Sequence, residues 1–481
     1  MRAKGIPLPR CKASTNLTVR RSDLKRLAVL LVAALSACGS PSQSGALPAG
    51  SASSAKADTH ASSQIKHVVI MIQENRSFDN LFATFPGVDG ATYGYYLKKL
   101  KGGGYVRTKI VLKQQPLAGG LDFNHGWEYY IGDYDNGNMD GFNLEGYNGN
   151  NPAGTRMYQY VNPADVQPYW SLAQQYALAD EMFQTQGSGS FTAHQDLIAG
   201  ATAGTWNSIT GSLVDYPSGN KLWGCNAPSG TTTNILTTSL QYLKGQGPFP
   251  CLTYPTGTLR DLLDAKGVSW KYYTPKYTAN TSGALWNAFA AIDAVYHGPE
   301  WKTNISMPET NIFSDITNTQ LPAVSWLIPD QINSDHPHLN SQDNGPSWVA
   351  SVINAIGTSG YWNSTAVVVV WDDWGGFYDH RPPPSRDNAG GLGFRVPMLV
   401  VSPYVPARTI AHTQYEFGSV LKFVEQTFRL GSLGTTDARA TSIGNIFKFK
   451  MNPRVFHLIK AQRSRAYFVH EPPSNAPVDT E

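Results

Sequence analysis

Two short acidic segments carry the strongest chemical signal in the chain: Gln73-Glu74-Asn75-Arg76-Ser77-Phe78-Asp79 and Trp371-Asp372-Asp373-Trp374-Gly375-Gly376. Each directly follows a continuous apolar run, His67 to Ile72 and Thr365 to Val370, of the kind that forms a strand buried on both faces of a parallel sheet. Ligands of open α/β sheets bind beyond the carboxyl ends of the strands. Carboxylates brought together there repel one another unless a cation lies between them, and one divalent metal ion is the simplest remedy. Oxygen donors without cysteine suit calcium, magnesium, manganese or zinc. Seen singly, an acidic pair after a strand is equally the composition of a helix cap or a solvated turn; the coincidence of two favours the metal.

A nucleophile fits Gly187-Ser188-Gly189-Ser190-Phe191-Thr192-Ala193-His194, where glycines permit a tight turn ahead of a hydroxyl. The following apolar residues could begin a helix whose N-terminal amides favour an anion. The same four residues are also ordinary loop composition. His125, His336 and His380 sit among polar and turn-forming residues and could donate to an anion or protonate a leaving group, although each alone also fits a structural histidine. Rival chemistries lack their motifs: there is no Gly-x-Ser-x-Gly elbow, no His-Glu-x-x-His helix and no phosphate-binding Gly-x-x-x-x-Gly-Lys loop.

These residues need a scaffold. A third apolar run, Val396 to Val401, joins the first two, and helical patterns cover Trp348 to Ile356 and Gly418 to Leu430. Alternating buried strands and helices predict a three-layer α/β/α sandwich around a mostly parallel sheet. Residues 206–254 show no sustained period and read as a surface insertion; residues after Phe456 are polar and proline-containing, and 461–481 read as a tail.

The ordered segments Glu74 to Asp79, Asn138-Met139-Asp140-Gly141-Phe142, Trp371 to Pro384, Gly393 to Pro403 and Tyr415 to Ser419 resemble the bacterial phospholipase C and acid phosphatase family of phosphoesterases. The resemblance spans about Lys66 to Phe428 and implies an alkaline-phosphatase-like fold, with a metal-activated Ser or Thr attacking a phosphate ester. It further implies Glu74, Asn75, Asp372, Asp373 and Ser190 as metal ligands, with Ser190 as the nucleophile that becomes a phosphoserine. His125 and His336 would hold phosphate oxygens or protonate the leaving alcohol, and Asp379 and His380 would brace the site. Two departures from the family pattern stand out. Ser188-Gly189-Ser190 replaces the Gly-Pro-Ser/Thr of many relatives, which keeps Ser188 and Thr192 as rivals. His338 lies two residues after His336, where some relatives place it three on, so its role in substrate binding is open. The substrate is a phosphate ester, phospholipid or phosphomonoester, approached past Tyr93, Tyr95, Tyr96, Trp127, Tyr129 or Tyr130. A scaffold retained only for surface binding would be expected to have lost this constellation, and the intact acidic pairs and the hydroxyl at 190 count against that alternative.

Arg20-Arg21 and Lys25-Arg26 precede an uncharged stretch to Ala37 and then Cys38, an export-signal pattern too short to span a bilayer. Leu35-Ser36-Ala37-Cys38 is similar to a bacterial lipobox, with Cys38 as the lipid-modified first residue, and Arg20-Arg21 to a twin-arginine motif. Residues 1–37 are thus expected as a signal, 38–64 as a Gly/Ser/Ala-rich tether, and 65–460 as the domain, periplasmic or at the cell surface of a bacterium and lipid-anchored at Cys38, or otherwise secreted. Without the first 37 residues the balance is 30 Lys/Arg against 34 Asp/Glu, which removes any overall nucleic-acid footprint. Cys225 and Cys251 are expected to pair in an oxidising compartment.

Overall fold

The computed structural model describes residues 64–147, 151–218, 223–276, 286–337, 344–384 and 391–474. The export signal, Cys38, most of the tether and His338 lie outside the described residues. The first apolar run forms β1 (His67–Gln73), and the second forms β6 (Thr365–Trp371), paired in parallel along their full length from His67 beside Thr365 to Gln73 beside Trp371. Six further strands complete the sheet: β2 (Ala177–Ala179), β3 (Trp270–Tyr273), β4 (Ile305–Ser306), β5 (Val324–Leu327), β7 (Met398–Val401) and β8 (Thr409–Ala411). Their spatial order is β4-β3-β5-β1-β6-β7-β2-β8, with β1 and β6 at the centre. Unbroken apolar sequence is required there because both faces are covered; Val68 to Ile72 and Ala366 to Val370 are at most 1% exposed.

Register assigns the two helical layers. Ile70 and Trp326 are register partners, and the Trp326 indole donates to Leu197 O in α2 (Ser190–Ala199). Gln73 lies an odd number of positions from Ile70 and so faces the opposite side. It and its partner Trp371 meet Tyr169, on α1 (Gln167–Gln175). That helix packs against α3 (Asn344–Gly357), while α2 packs against α4 (Phe417–Phe428). The three-layer, mostly parallel α/β architecture expected from the sequence is therefore present.

Two regions differ from the sequence expectation. β7 runs antiparallel to both neighbours, β6 and β2, although its composition matches a parallel core strand. Apolar composition reports burial and carries no direction. The region read as a patternless insertion forms a four-stranded antiparallel sheet from Ala203–Trp206, Ile209–Val214, Asn234–Thr237 and Tyr242–Leu243. Its strands are too short to show a period, yet Leu213 and Ile235 are fully buried. The disulfide Cys225–Cys251 forms as expected. The C-terminal stretch carries a helix, Arg465–His470, whose Phe468 packs on Trp348.

Candidate functional site

The loop after β1 and the loop after β6 are stitched together by hydrogen bonds from backbone amides. Asp372 N donates to Gln73 O at 2.9 Å, Arg76 N to Asp373 O at 2.9 Å, and Asn75 N to Asp372 Oδ1 at 2.9 Å. Glu74 N donates to Ser334 O at 2.8 Å, which brings in the segment carrying His336. Asn75 sits in the left-handed region (φ 59°), which Asn tolerates better than most residues. Gly375 (φ 58°) lies so close that a Cβ there would be 2.4 Å from Asn75 O, so only glycine permits this approach of the two loops.

The sequence-derived candidates converge. Glu74, Asn75, Ser190, Asp372, Asp373, His125 and His336 are all fully buried. Ser190 opens α2, and its Oγ donates to Asp373 Oδ2 at 3.1 Å. Its rivals are turned elsewhere: Ser188 Oγ bonds Thr192 Oγ1 at 3.0 Å and Asp215 Oδ1 at 3.1 Å, and Thr192 Oγ1 reaches Leu213 O. His125 Nδ1 donates to Phe123 O at 2.6 Å, so its Nε2 accepts from Asn75 Nδ2 at 2.9 Å. That bond turns the Asn75 Oδ1 away from His125. His125 Nε2 also lies 3.7 Å from Asp373 Oδ2, and the His336 ring is centred 6.5 Å from that of His125, stacked on Trp286.

The charge balance of this cluster is unfavourable as it stands. Burial, reinforced by the charge of Asp372, pushes the Asp373 carboxyl well above the usual range. Asn75 Oδ1 and Asp372 Oδ2 are buried without a hydrogen-bond partner among the described residues. Glu74, Asp372 and His194 each offer a ligand atom within 4.8 Å of the others. Carboxylates, an amide oxygen and a hydroxyl are hard donors, and this set fits a divalent cation.

His194 was not among the sequence candidates. It follows Ser190 by four residues, the spacing that places two side chains on one helix face, and its Nε2 is 3.0 Å from Glu74 Oε1. Burial lowers its pKa to about 4, so the ring is neutral and can hold the carboxylate by a hydrogen bond. Arg395 was also missed. Because β7 runs antiparallel to its neighbours β6 and β2, the segment that leads into it lies at their carboxyl ends. There Arg395 makes paired bonds to Asp379, Nε to Oδ1 at 3.1 Å and Nη2 to Oδ2 at 3.2 Å, and reaches Asp79 Oδ1 at 3.2 Å. His380 Nδ1 bonds Asp79 Oδ2 at 2.7 Å, and Asp379 Oδ2 accepts from Asp79 N at 3.0 Å. Asp379 and His380 thus join the two acidic loops from outside the cluster. Of the aromatic candidates, Tyr130 and Trp127 are buried, whereas Tyr93 is exposed on a hairpin.

The sequence profile of the Phosphoesterase family matches residues 65–431. The non-hemolytic phospholipase C of Burkholderia pseudomallei is 24% identical over 434 residues, covering 76% of this chain and 55% of that protein. Phospholipase C B of Mycobacterium tuberculosis is 24% identical over 447 residues, covering 81% of this chain and 78% of that protein. This chain therefore spans little more than half of the first relative. Among solved structures, a protein of the alkaline phosphatase superfamily from Vibrio parahaemolyticus aligns with a TM-score of 0.35 at 10% identity, covering 78% of this chain and 70% of that one.

Proposed function

The chain belongs to the Phosphoesterase family, and from that premise we propose that it hydrolyses phosphate esters with Ser190 as the attacking group. Glu74, Asn75, Asp372, Asp373 and the Ser190 hydroxyl would hold one divalent cation. The observation that carries this reading is the contact of Ser190 Oγ with Asp373 Oδ2, 3.1 Å, at the first turn of a ten-residue helix. A bound divalent cation lowers the pKa of a coordinated hydroxyl and stabilises charge on phosphate oxygens.

The chain's own groups have separable tasks. Ser190 Oγ attacks phosphorus in line and forms a phosphoserine that water then hydrolyses. Asp373 Oδ2 accepts the hydrogen bond that aims the hydroxyl. The N-terminal amides of α2 favour the anion before it. His194 keeps Glu74 in place, and His125 sets the orientation of the Asn75 amide while flanking Asp373. His336, as the imidazolium, gives a proton to the departing alkoxide oxygen; with its Nδ1–H donated to Pro337 O at 2.7 Å, the proton it transfers is the one on Nε2. Asp379 and His380 act through the loops they brace. His338 remains assigned to substrate binding. Residues 65–460 form the catalytic domain in this reading, with the antiparallel sheet as its insertion, behind an export signal and a lipid-modified Cys38.

The relatives are named phospholipases C, so a phospholipid and a soluble monoester are the substrates to compare. Phosphatidylcholine micelles and p-nitrophenyl phosphate should be assayed with chelator, after restoring single metals, and with Ser190→Ala. Turnover of at least one substrate should vanish with chelator and return with one of calcium, magnesium, manganese or zinc. Full turnover in chelator would sink the metal assignment, and full turnover by Ser190→Ala would sink the nucleophile.

A further inference from the structure

Strands Tyr93–Lys99 and Tyr105–Val111 pair antiparallel around a turn of Gly102, Gly103 and Gly104. The inner face of this hairpin is rooted in the body. Gly94 lies against the Tyr378 ring, where a Cβ would be 2.4 Å from Cζ, and Tyr96 and Ile110 pack on the aromatic cluster around Phe142 and Tyr158. Ala91 N donates to Asp79 Oδ1 at 3.1 Å, so the root adjoins the loops that carry the acidic residues. Lys98 and Val106 share the inner register with Tyr96 yet are exposed, so the distal half projects past the body.

The hairpin has an unusual exposed surface, running from Tyr93 and Val111, which pair at its root, to Leu100 and Tyr105 beside the turn. Val111 is 69% exposed, Tyr105 51%, Leu100 47%, and Tyr93 and Val106 44% each. Among them lie Lys98, Lys99, Lys101 and Lys109, with Lys113 just past the second strand. Arg107 pairs with Asp140 at 2.9 Å, whereas none of these five lysines forms an ion pair among the described residues. Instead Lys109 Nζ lies 3.7 Å above the Tyr93 ring and the Arg107 guanidinium 3.7 Å from the centre of Tyr95, leaving aromatic and cationic groups interleaved. Between Asp89 and Asp122 there are six Lys/Arg and no Asp or Glu, while the other residues from 38 onward hold 24 Lys/Arg against 34 Asp/Glu, a net charge of −10. A large anionic surface is therefore attracted to one element and repelled by the rest of the molecule, which fixes its orientation.

We propose that this hairpin docks the protein on an anionic lipid surface, with the lysines at the headgroups and Leu100, Tyr105 and Val106 at its tip entering the interface. Lysines that extend beside exposed aliphatic and tyrosine side chains match the two layers of a bilayer boundary, charged outside and apolar beneath. A nucleic acid would use the charge but leaves Leu100 and Val106 without a partner.

The test is co-sedimentation of the full chain with vesicles of phosphatidylcholine alone and of phosphatidylcholine mixed equally with phosphatidylglycerol, at low and high salt. It requires no turnover, so it stands or falls apart from the hydrolytic reading, and the comparison of vesicle types cancels any acyl chain on Cys38. Binding should favour the mixed vesicles and weaken with salt. A Lys98→Glu, Lys99→Glu, Lys101→Glu variant should lose roughly a hundredfold or more of that partitioning. Leu100→Ser with Val106→Ser should lose roughly tenfold. Both variants should keep wild-type hydrolysis of a soluble ester, which shows that they fold. Equal binding to both vesicle types, no binding, or unchanged binding by the three-lysine variant overturns the proposal. Binding of single-stranded DNA through the same lysines, with vesicle binding indifferent to Leu100 and Val106, overturns it in favour of a nucleic-acid surface.

Discussion

Ser190 and Ser188 are two residues apart in the same glycine-rich turn, and the structure separates them by partner. Ser188 is spent on Asp215 and Thr192, while Ser190 faces the buried carboxylate of Asp373. Ser190→Ala removes one hydroxyl from a buried site and should lower kcat by at least about a thousandfold. Its metal content by elemental analysis should stay close to that of the wild type, because four other donors remain. Asp373→Asn is the complementary change: it keeps the shape and removes a charge, so bound metal per chain should fall under the same dialysis conditions. An unchanged stoichiometry would exclude Asp373 as a ligand. The acidic residues of the site are readable from sequence because each follows an unmistakable strand. His194 is nearly as readable by its spacing from Ser190, but only once the helix start is known. Arg395 carries no local signal at all, since its position at the site depends on the direction of the strand it precedes.

The elements set two further expectations. Asp215 lies where Ile209–Val214 leaves the antiparallel sheet, and it accepts from both Ser188 Oγ and Trp127 N. This ties the antiparallel sheet to the glycine-rich turn ahead of Ser190. Asp215→Ala should lower kcat about tenfold by loosening that turn, with metal content unchanged and activity largely restored in Asp215→Asn. An equal defect in both variants would mean that the insertion supports the fold without aiming the turn. The bracing network is titratable. Burial alone would lower the His380 pKa, but the hydrogen bond and charge of Asp79, with the charge of Asp379, outweigh it and raise it to about 9. A raised histidine pKa stabilises the fold fully below its ordinary value near 6.5, and that contribution is lost as pH rises through 9. The wild type should thus lose on the order of 1–3 kcal/mol between these limits relative to His380→Gln, measured by denaturant unfolding across the window. Parallel stability curves for the two proteins would show that the ring contributes no such term. Sequence alone marks His380 as a polar-segment histidine; its partners come from residues about 300 positions away.

At the scale of the molecule, the central sheet was legible because burial on both faces demands runs that no surface strand would carry. The insertion was not, because strands of two to six residues leave no period, and their burial depends on the domain they sit against. The cysteine pair was the one long-range constraint visible in that region, and its effect can be stated. Cys225 and Cys251 are 26 positions apart, across sequence rich in Gly, Ser, Thr and Pro. Closing a loop of this length removes chain entropy from the unfolded state worth about 3 kcal/mol. The cross-link joins the segment between Ile209–Val214 and Asn234–Thr237 to the segment after Tyr242–Leu243, so reduction should be felt first as local opening there. Cys225→Ser with Cys251→Ser should lower global stability by about 3 kcal/mol in a two-state fit, and amide exchange should accelerate in 203–254 before it does in β1 or β6. If the exchange of 203–254 is unchanged while global stability falls, the bond acts on the unfolded chain alone. The insertion then holds its place through the burial of Leu213 and Ile235.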